Sequence, residues 1–373
     1  MNVRREDSRI VLTLDAGGSS FRFTALQGGR PMIEPLHYPT YGEDLEKSLA
    51  TIRQGFEAIT AHLPSSPVAM SFAFPGPASY EDGVIGDLAN LPGYRGGVAL
   101  GAFLEDAFGL PVIIGNDADL FTLGESLGGI LPALQRAMTD RSARSMPKNL
   151  FGMTLGTGCG GGLVIRGRLH GGENGQASEI WHMQDHHQTD HVIEESLSIR
   201  GIRKFFAEYA QIPIHEAPMP ADISRLAEFG SEDQQAWARQ AWHSFGTSLG
   251  DVMADVMALL DTSIVIGGGL SGAYPWFAPA ALTRLRSRSQ ARTVCDLETI
   301  DGWNGFVDSP RTTVAVPGGS REVSYASRPA LGVGRTRMGT SQAIWLGAYA
   351  MALDTLDHGD LHPHDLLTAQ PPL

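Results

Sequence analysis

Short apolar runs bounded by glycine, proline or polar residues recur along this chain, and longer stretches with helical spacing lie between them. Residues 10–14 (IVLTL) predict a buried strand. Residues 21–26 alternate as the second strand of a hairpin, joined by Asp15-Ala-Gly-Gly-Ser-Ser20. Leu45, Leu49, Ile52, Phe56 and Ile59 predict an amphipathic helix over 45–63. Strands follow at 68–74 and 111–115, with a helix near 100–108 between them. The second of these strands delivers Asn116-Asp117-Ala118-Asp119 to its carboxyl end, ahead of a helical run over 119–128. Further on, 151–155 and 163–165 predict strands, 194–209 and 233–260 helices, and 263–266 a strand entering Gly267–Gly272 and a helix opened by Pro275. Residues 312–326 predict a hairpin around Pro-Gly-Gly, and 343–353 an apolar helix. Residues 129–148 match no template. Strands alternating with helices predict the α/β class.

Composition narrows the function classes. At 373 residues the chain predicts two or three domains, and 42% hydrophobic with 18% charged residues suits a globular enzyme. A formal net charge of −13 disfavours nucleic acid as a partner, because phosphate backbones are bound by clustered Lys and Arg. Two cysteines, Cys159 and Cys295, predict no disulfide framework and fit a reducing compartment. The nine residues before Ile10 leave no room for a signal peptide, and no apolar run reaches membrane-spanning length. The expectation is a cytoplasmic protein with no membrane partner.

Candidate chemistry gathers at three glycine-rich turns. Gly156-Thr157-Gly158-Cys159-Gly160-Gly161-Gly162 can approach a ligand closely and point backbone N–H groups at an anion. Its match to the dinucleotide fingerprint is rejected, since a strand and not a helix follows. Asp15, at a strand end beside Gly17, Gly18 and Ser19, suits a Mg²⁺–phosphate site, and a plain turn accounts for it equally well. Asp117 lies where α/β folds place chemistry, and a helix cap is its plainer reading. Asn174, Glu179 and His182 form a polar cluster after the central turn. Gly246-Thr-Ser-Leu-Gly250 matches a hydrolase elbow but lies within a helix, so it is set aside. Gly267–Gly272, with Asp296 downstream, is the best case for a dinucleotide site and keeps a dinucleotide-dependent oxidoreductase as an alternative.

Together these motifs resemble the ROK family (repressors, open reading frames, kinases) of sugar kinases, within the actin-like ATPase superfamily. The resemblance runs from Ile10 to about Leu353 and rests on five motifs in order. Asp15-x-Gly-Gly-Ser-x-x-Arg22 is similar to the first phosphate loop, with Ser19 where Thr is usual. Asn116-Asp117-Ala118 is similar to the catalytic segment, and 156–162 to the second phosphate loop. Residues 172–182 (GENGQASEIWH) are similar to the sugar signature, with Trp181 where Gly is usual, and Gly267, Gly268 and Gly269 to the adenosine motif.

The resemblance implies a two-domain actin-like ATPase (ribonuclease H-like) fold with a central cleft. It implies an N-terminal α/β domain over 1–119 completed by a C-terminal helix at about 340–356, and a C-terminal domain over 120–339. An insertion is expected at about 284–335 and a frayed tail at 358–373. It further implies ATP-dependent phosphorylation of a hexose or amino-hexose hydroxyl at C6, by a homodimer. Asp117 would be general base and Asp15 the Mg²⁺ ligand. The glycines, with Ser19, Thr157 and Gly160, would hold nucleotide. Asn90, Asn116, Asn174, Glu179, His182 and Glu194 would bind the sugar. The family's cysteine-rich zinc loop is replaced by a histidine-bearing stretch without cysteine (182–198), so no structural zinc is expected. A sugar-responsive regulator of the same family is the other alternative. It requires a DNA-binding helix pair that the nine residues before Ile10 cannot supply.

Overall fold

The computed structural model describes residues 5–17, 20–87, 91–139, 146–309 and 311–358. The candidates Gly18, Ser19 and Asn90, and the tail beyond His358, lie outside the described residues. Two compact units form. One comprises the chain up to Gly129, Gly162–Ser178 and the part from Arg337 onward; the other comprises Ile130–Gly161 and Glu179–Thr336.

The first unit opens with β1 (Ile10–Ala16) and β2 (Ser20–Gln27), an antiparallel hairpin whose register sets Asp15 opposite Arg22. Short strands β3 (Arg30–Pro31) and β4 (Leu36–Pro39) pair with β2. After α1 (Leu45–Thr60), β5 (Ala69–Ala73) lies parallel to β1. A small sheet of β6 (Ala78–Ser79), β7 (Val84–Ile85) and β8 (Val98–Ala99) precedes α2 (Leu100–Phe108). Strand β9 (Val112–Gly115) then extends the main sheet beside β5 and runs into α3 (Asp117–Leu127). All five residues of β5 are buried, as parallel strands covered on both faces require.

The second unit contains α4 (Ile130–Thr139), β10 (Leu150–Leu155) and the start of β11 (Cys159–Ile165), within which the chain returns to the first unit and β12 (Arg168–Leu169). It continues with α5 (Ile199–Ala210), α6 (Pro220–Phe229), α7 (Glu232–Leu260), β13 (Ser263–Gly267), α8 (Tyr274–Arg288), β14 (Thr293–Asp296), α9 (Ile300–Val307), the hairpin β15 (Thr312–Ala315) and β16 (Glu322–Tyr325), and β17 (Ala330–Arg335). The second sheet has the order β12-β11-β10-β13-β17-β14, with β10, β13, β17 and β14 parallel. The last helix, α10 (Thr340–His358), belongs to the first unit.

Glycines explain two helix pairs. A Cβ at Gly124 of α3 would lie 1.9 Å from the Ala343 carbonyl of α10, and one at Gly347 of α10 would lie 2.0 Å from the Leu120 carbonyl of α3. The two helices therefore meet backbone to backbone. Buried Glu125 reinforces the contact by accepting from the N–H groups of Arg337 (3.0 Å) and Met338 (3.1 Å). In α7, Gly246 and Gly250 sit against the Phe277 and Ala281 carbonyls of α8, at 2.3 and 2.5 Å from a virtual Cβ. The Gly-x-Ser-x-Gly pattern is thus a helix-crossing groove at i, i+4 spacing.

Three local readings change. Residues 130–139, within the stretch that matched no template, form a helix with Ile130, Leu131, Leu134 and Met138 buried. The helix expected from 194 starts at Ile199, because Ser198 caps it by accepting from Gly201 N, while Glu194 lies in a preceding 3₁₀ turn. The strand expected at 163–165 begins at Cys159, so only Gly156–Gly158 form the turn. No helix among the described residues is long and apolar enough to cross a membrane.

Candidate functional site

The candidate residues fall into two sets, one on each unit. In the first unit, Asp15 ends β1 with its side chain only 17% exposed. Its Oδ2 accepts from Ser341 Oγ at 2.5 Å, and Arg22 Nη1 lies 3.9 Å away while donating to the same Ser341 hydroxyl at 2.7 Å. Burial pushes the Asp15 carboxyl above the ordinary range, against the opposing pull of the Ser341 bond and the Arg22 charge. A buried carboxylate so partly compensated fits a cation. A Mg²⁺ ion, which takes one or two carboxylates and completes its shell with water and phosphate oxygens, needs no larger cluster. Gly17 closes the turn, its N–H donating to Ser20 O and its carbonyl accepting from Thr40 Oγ1.

The helix cap weighed for Asp117 is supplied by its neighbour Asn116. Asn116 is the N-cap of α3, its Oδ1 accepting from Ala118 N (2.8 Å) and Asp119 N (3.3 Å), and its Nδ2 donating to Tyr80 OH at 3.4 Å. Asp117 is the first helical residue, half-buried, and its Oδ1 also accepts from Ala118 N at 3.0 Å. The cap is satisfied without it. Gly162, from the glycine run, packs beneath this turn, where a Cβ would lie 2.5 Å from the Ala118 carbonyl and 2.6 Å from Thr122 Oγ1. Asn174 is exposed in the bend that follows β12.

In the second unit the two glycine turns lie side by side. The 156–158 turn is closed by Gly156 N donating to Gly158 O, and Gly156 O accepts from Ile199 N at the start of α5. Gly268, at φ +81°, lies so close to Leu155 that a Cβ would come within 2.3 Å of its carbonyl, and Leu270 N donates to that carbonyl. A Cβ on Gly156 would lie 3.8 Å from Gly269 N, with Gly269 itself facing open space. Among the described residues the N–H groups of Thr157, Gly158 and Gly269 have no protein partner. Gly160 lies inside β11 and Gly267 ends β13.

Glu194 joins this cradle to the polar cluster. Its Oε2 accepts from Cys159 N at 3.1 Å and would lie 2.6 Å from a Cβ on Gly158. Cys159 itself is inert, since burial, aided by the Glu194 charge, pushes its thiol far up. Glu179 accepts from Trp181 Nε1 at 2.5 Å, and the His182 ring stacks on Trp181 at an interplanar angle of 27°. Burial raises the Glu179 carboxyl, with Trp181 and His182 opposing and Glu194 adding to the rise.

The loop between His182 and Glu194 is organised by Asp185, fully buried. Its Oδ1 accepts from the N–H groups of His187 (2.8 Å) and Gln188 (3.2 Å), and its Oδ2 from Ser196 Oγ. His186 and His187 reach α7, with Nε2 atoms 2.8 Å from Asp255 and 3.0 Å from Asp251. Among the described residues no group of three or more His, Cys, Asp or Glu side chains gathers to hold a metal ion. Ser341 and the loop-organising role of Asp185 were missed from sequence, because both act through fold contacts.

A family model described as the ROK family matches residues 11–297. The solved glucokinase from Parabacteroides distasonis superposes with a TM-score of 0.83 at 41% identity, covering 94% of this chain and 99% of that one. A curated N-acetyl-D-glucosamine kinase from Vibrio vulnificus is 26% identical over 275 residues, 69% of this chain and 83% of its own. A ROK family glucokinase from Streptomyces griseus, solved in complex with glucose and AMPPNP, shares the fold (TM-score 0.64, 18% identity, covering 91% and 98%).

Proposed function

The chain belongs to the ROK family, and from that premise we propose that it transfers the γ-phosphoryl group of ATP to the C6 hydroxyl of a hexose or amino-hexose. The observation that carries the reading is the pair of adjacent glycine turns in the second unit. They leave the N–H groups of Thr157, Gly158 and Gly269 available to phosphate oxygens. Phosphoryl transfer needs positioning and charge neutralisation more than covalent help. The Streptomyces relative, which holds an ATP analogue and glucose, supports the choice of nucleotide and sugar.

Asp117 accepts the proton of the attacking hydroxyl in this reading. Asn116 caps the helix, and the Asp117 carboxylate follows it directly after the carboxyl end of β9, where α/β folds place chemistry. Glu179, His182 and Glu194 bind sugar hydroxyls, joined by Asn90, Asn116 and Asn174. Asp15, steadied by Ser341 and Arg22, holds Mg²⁺, which when bound neutralises the developing phosphate charge. The test is ADP release with Mg-ATP across a panel of hexoses and amino-hexoses. At least one sugar should give ADP together with its 6-phosphate. ADP release that no sugar accelerates would overturn the reading.

A further inference from the structure

At the amino ends of β14 and β17 three arginines converge on a pocket of about 420 Å³, lined by Arg286, Arg292 and Arg328 with Ser289 and Thr293. Three separate stretches supply them: the last turn of α8, the entry to β14 and the entry to β17. Thr293 N donates to Pro329 O, which ties the last two together. Part of this charge has structural work. Arg286 Nε donates to the Val294 carbonyl at 3.2 Å, and Arg292 Nε pairs with Asp261 at 2.8 Å. Each uses only one edge of a five-donor guanidinium. Among the described residues, neither Arg286 nor Arg328 has a carboxylate partner.

On a chain of net charge −13, three arginines lining one pocket with a single carboxylate partner among them give it a local positive charge that favours an anion. The volume is that of a small-molecule site. The pocket is also separate from the glycine turns. Register sets Thr293 beside Ala330 and Val333 beside Ile264, so Gly267 lies six residues further along the sheet, about 20 Å away.

We propose that this pocket is a second binding site, for a small phosphorylated molecule whose phosphate is held by Arg286, Arg292 and Arg328. Guanidinium forks match phosphate oxygens bidentately, and Arg328 adds a third from the bend that leads into β17. A polyanion is disfavoured by the acidic remainder of the chain.

Calorimetry with inorganic phosphate and with glucose 6-phosphate on the full chain tests the proposal. Each probe is titrated with and without saturating ATP, so that the glycine turns are occupied if they bind nucleotide. Both Arg286 and Arg328 are exposed, so Arg286→Gln and Arg328→Gln leave the core untouched. Wild type should bind at least one probe saturably in the presence of ATP, and each variant should lose about ten- to a hundredfold in affinity. Comparing the two probes tells free phosphate from a phosphomonoester as the source. Wild type without saturable binding, or variants that bind as tightly as wild type, would overturn the site.

Discussion

Replacing Gly158 with alanine separates the two ligands that this site is proposed to hold. Its φ lies outside the left-handed region, so the backbone tolerates a side chain. The new Cβ, however, would lie 2.6 Å from Glu194 Oε2. An ordinary carbon contact needs about 3.5 Å, so the carboxylate must retreat by roughly 1 Å. The Cys159 N–Glu194 bond, now 3.1 Å, then passes out of hydrogen-bonding range. A hydrogen bond to an ionised acceptor is worth about 1.5–3 kcal/mol, so displacing Glu194 should weaken sugar binding roughly ten- to a hundredfold. Steady-state kinetics with each substrate varied at saturation of the other reads this out. The sugar KM should rise by about tenfold or more while the ATP KM stays within about threefold. Gly158→Ala combined with Glu194→Gln should then cost little more than either alone. A raised ATP KM with an unchanged sugar KM would refute the reasoning and make the turn a nucleotide contact only.

Ser341→Ala removes the hydroxyl that bonds Asp15, so the buried carboxyl rises further and the acid limb of the pH–rate profile should move to higher pH, with a raised Mg²⁺ requirement; an unmoved limb would detach Asp15 from the reaction. Gly162→Ala drives a Cβ against the Ala118 carbonyl, and overpacking of about 1–3 kcal/mol should lower the melting temperature by several degrees and reduce turnover. Glu179→Gln tests a trade between stability and function. Its carboxyl is raised in the folded protein, so the contribution of that shift to stability is present below the ordinary carboxylate pKa and lost as pH rises through the folded value. The variant should therefore melt higher than wild type near neutral pH, converge with it in acid, and bind sugar more weakly; a variant less stable at neutral pH contradicts this.

Much of the fold was legible because its strands are short, apolar and bounded by glycine, and because the 10–27 hairpin register places Arg22 opposite Asp15. The glycines were harder. Gly156, Gly158 and Gly269 line a cradle, whereas Gly124, Gly162, Gly246, Gly250 and Gly347 allow backbones to touch. A sequence shows both as the same missing Cβ. The helix over 130–139 has only four inward residues and a proline in its first turn, too little for a period to emerge. Glu194 sits in a 3₁₀ turn five residues ahead of the helix it was assigned to, since the cap signal at Ser198 lay hidden among polar neighbours. Ser341 and the structural role of Asp185 were illegible for a different reason: Ser341 meets Asp15 across 326 positions of sequence, and Asp185 is held by a loop that folds back on itself.

The central claim is that Asp117, set beside the Asn116 cap at the start of α3, takes the proton from the sugar hydroxyl. Asp117→Asn keeps the size of the side chain and its bond to Ala118 N while removing the basicity. With the sugar that wild type phosphorylates, turnover is measured by sugar-phosphate formation and sugar affinity by calorimetry. The account expects turnover to fall about a hundred- to ten-thousandfold with sugar affinity within about threefold of wild type. Turnover within about threefold of wild type would contradict it and leave Asp117 as one more residue of a helix start.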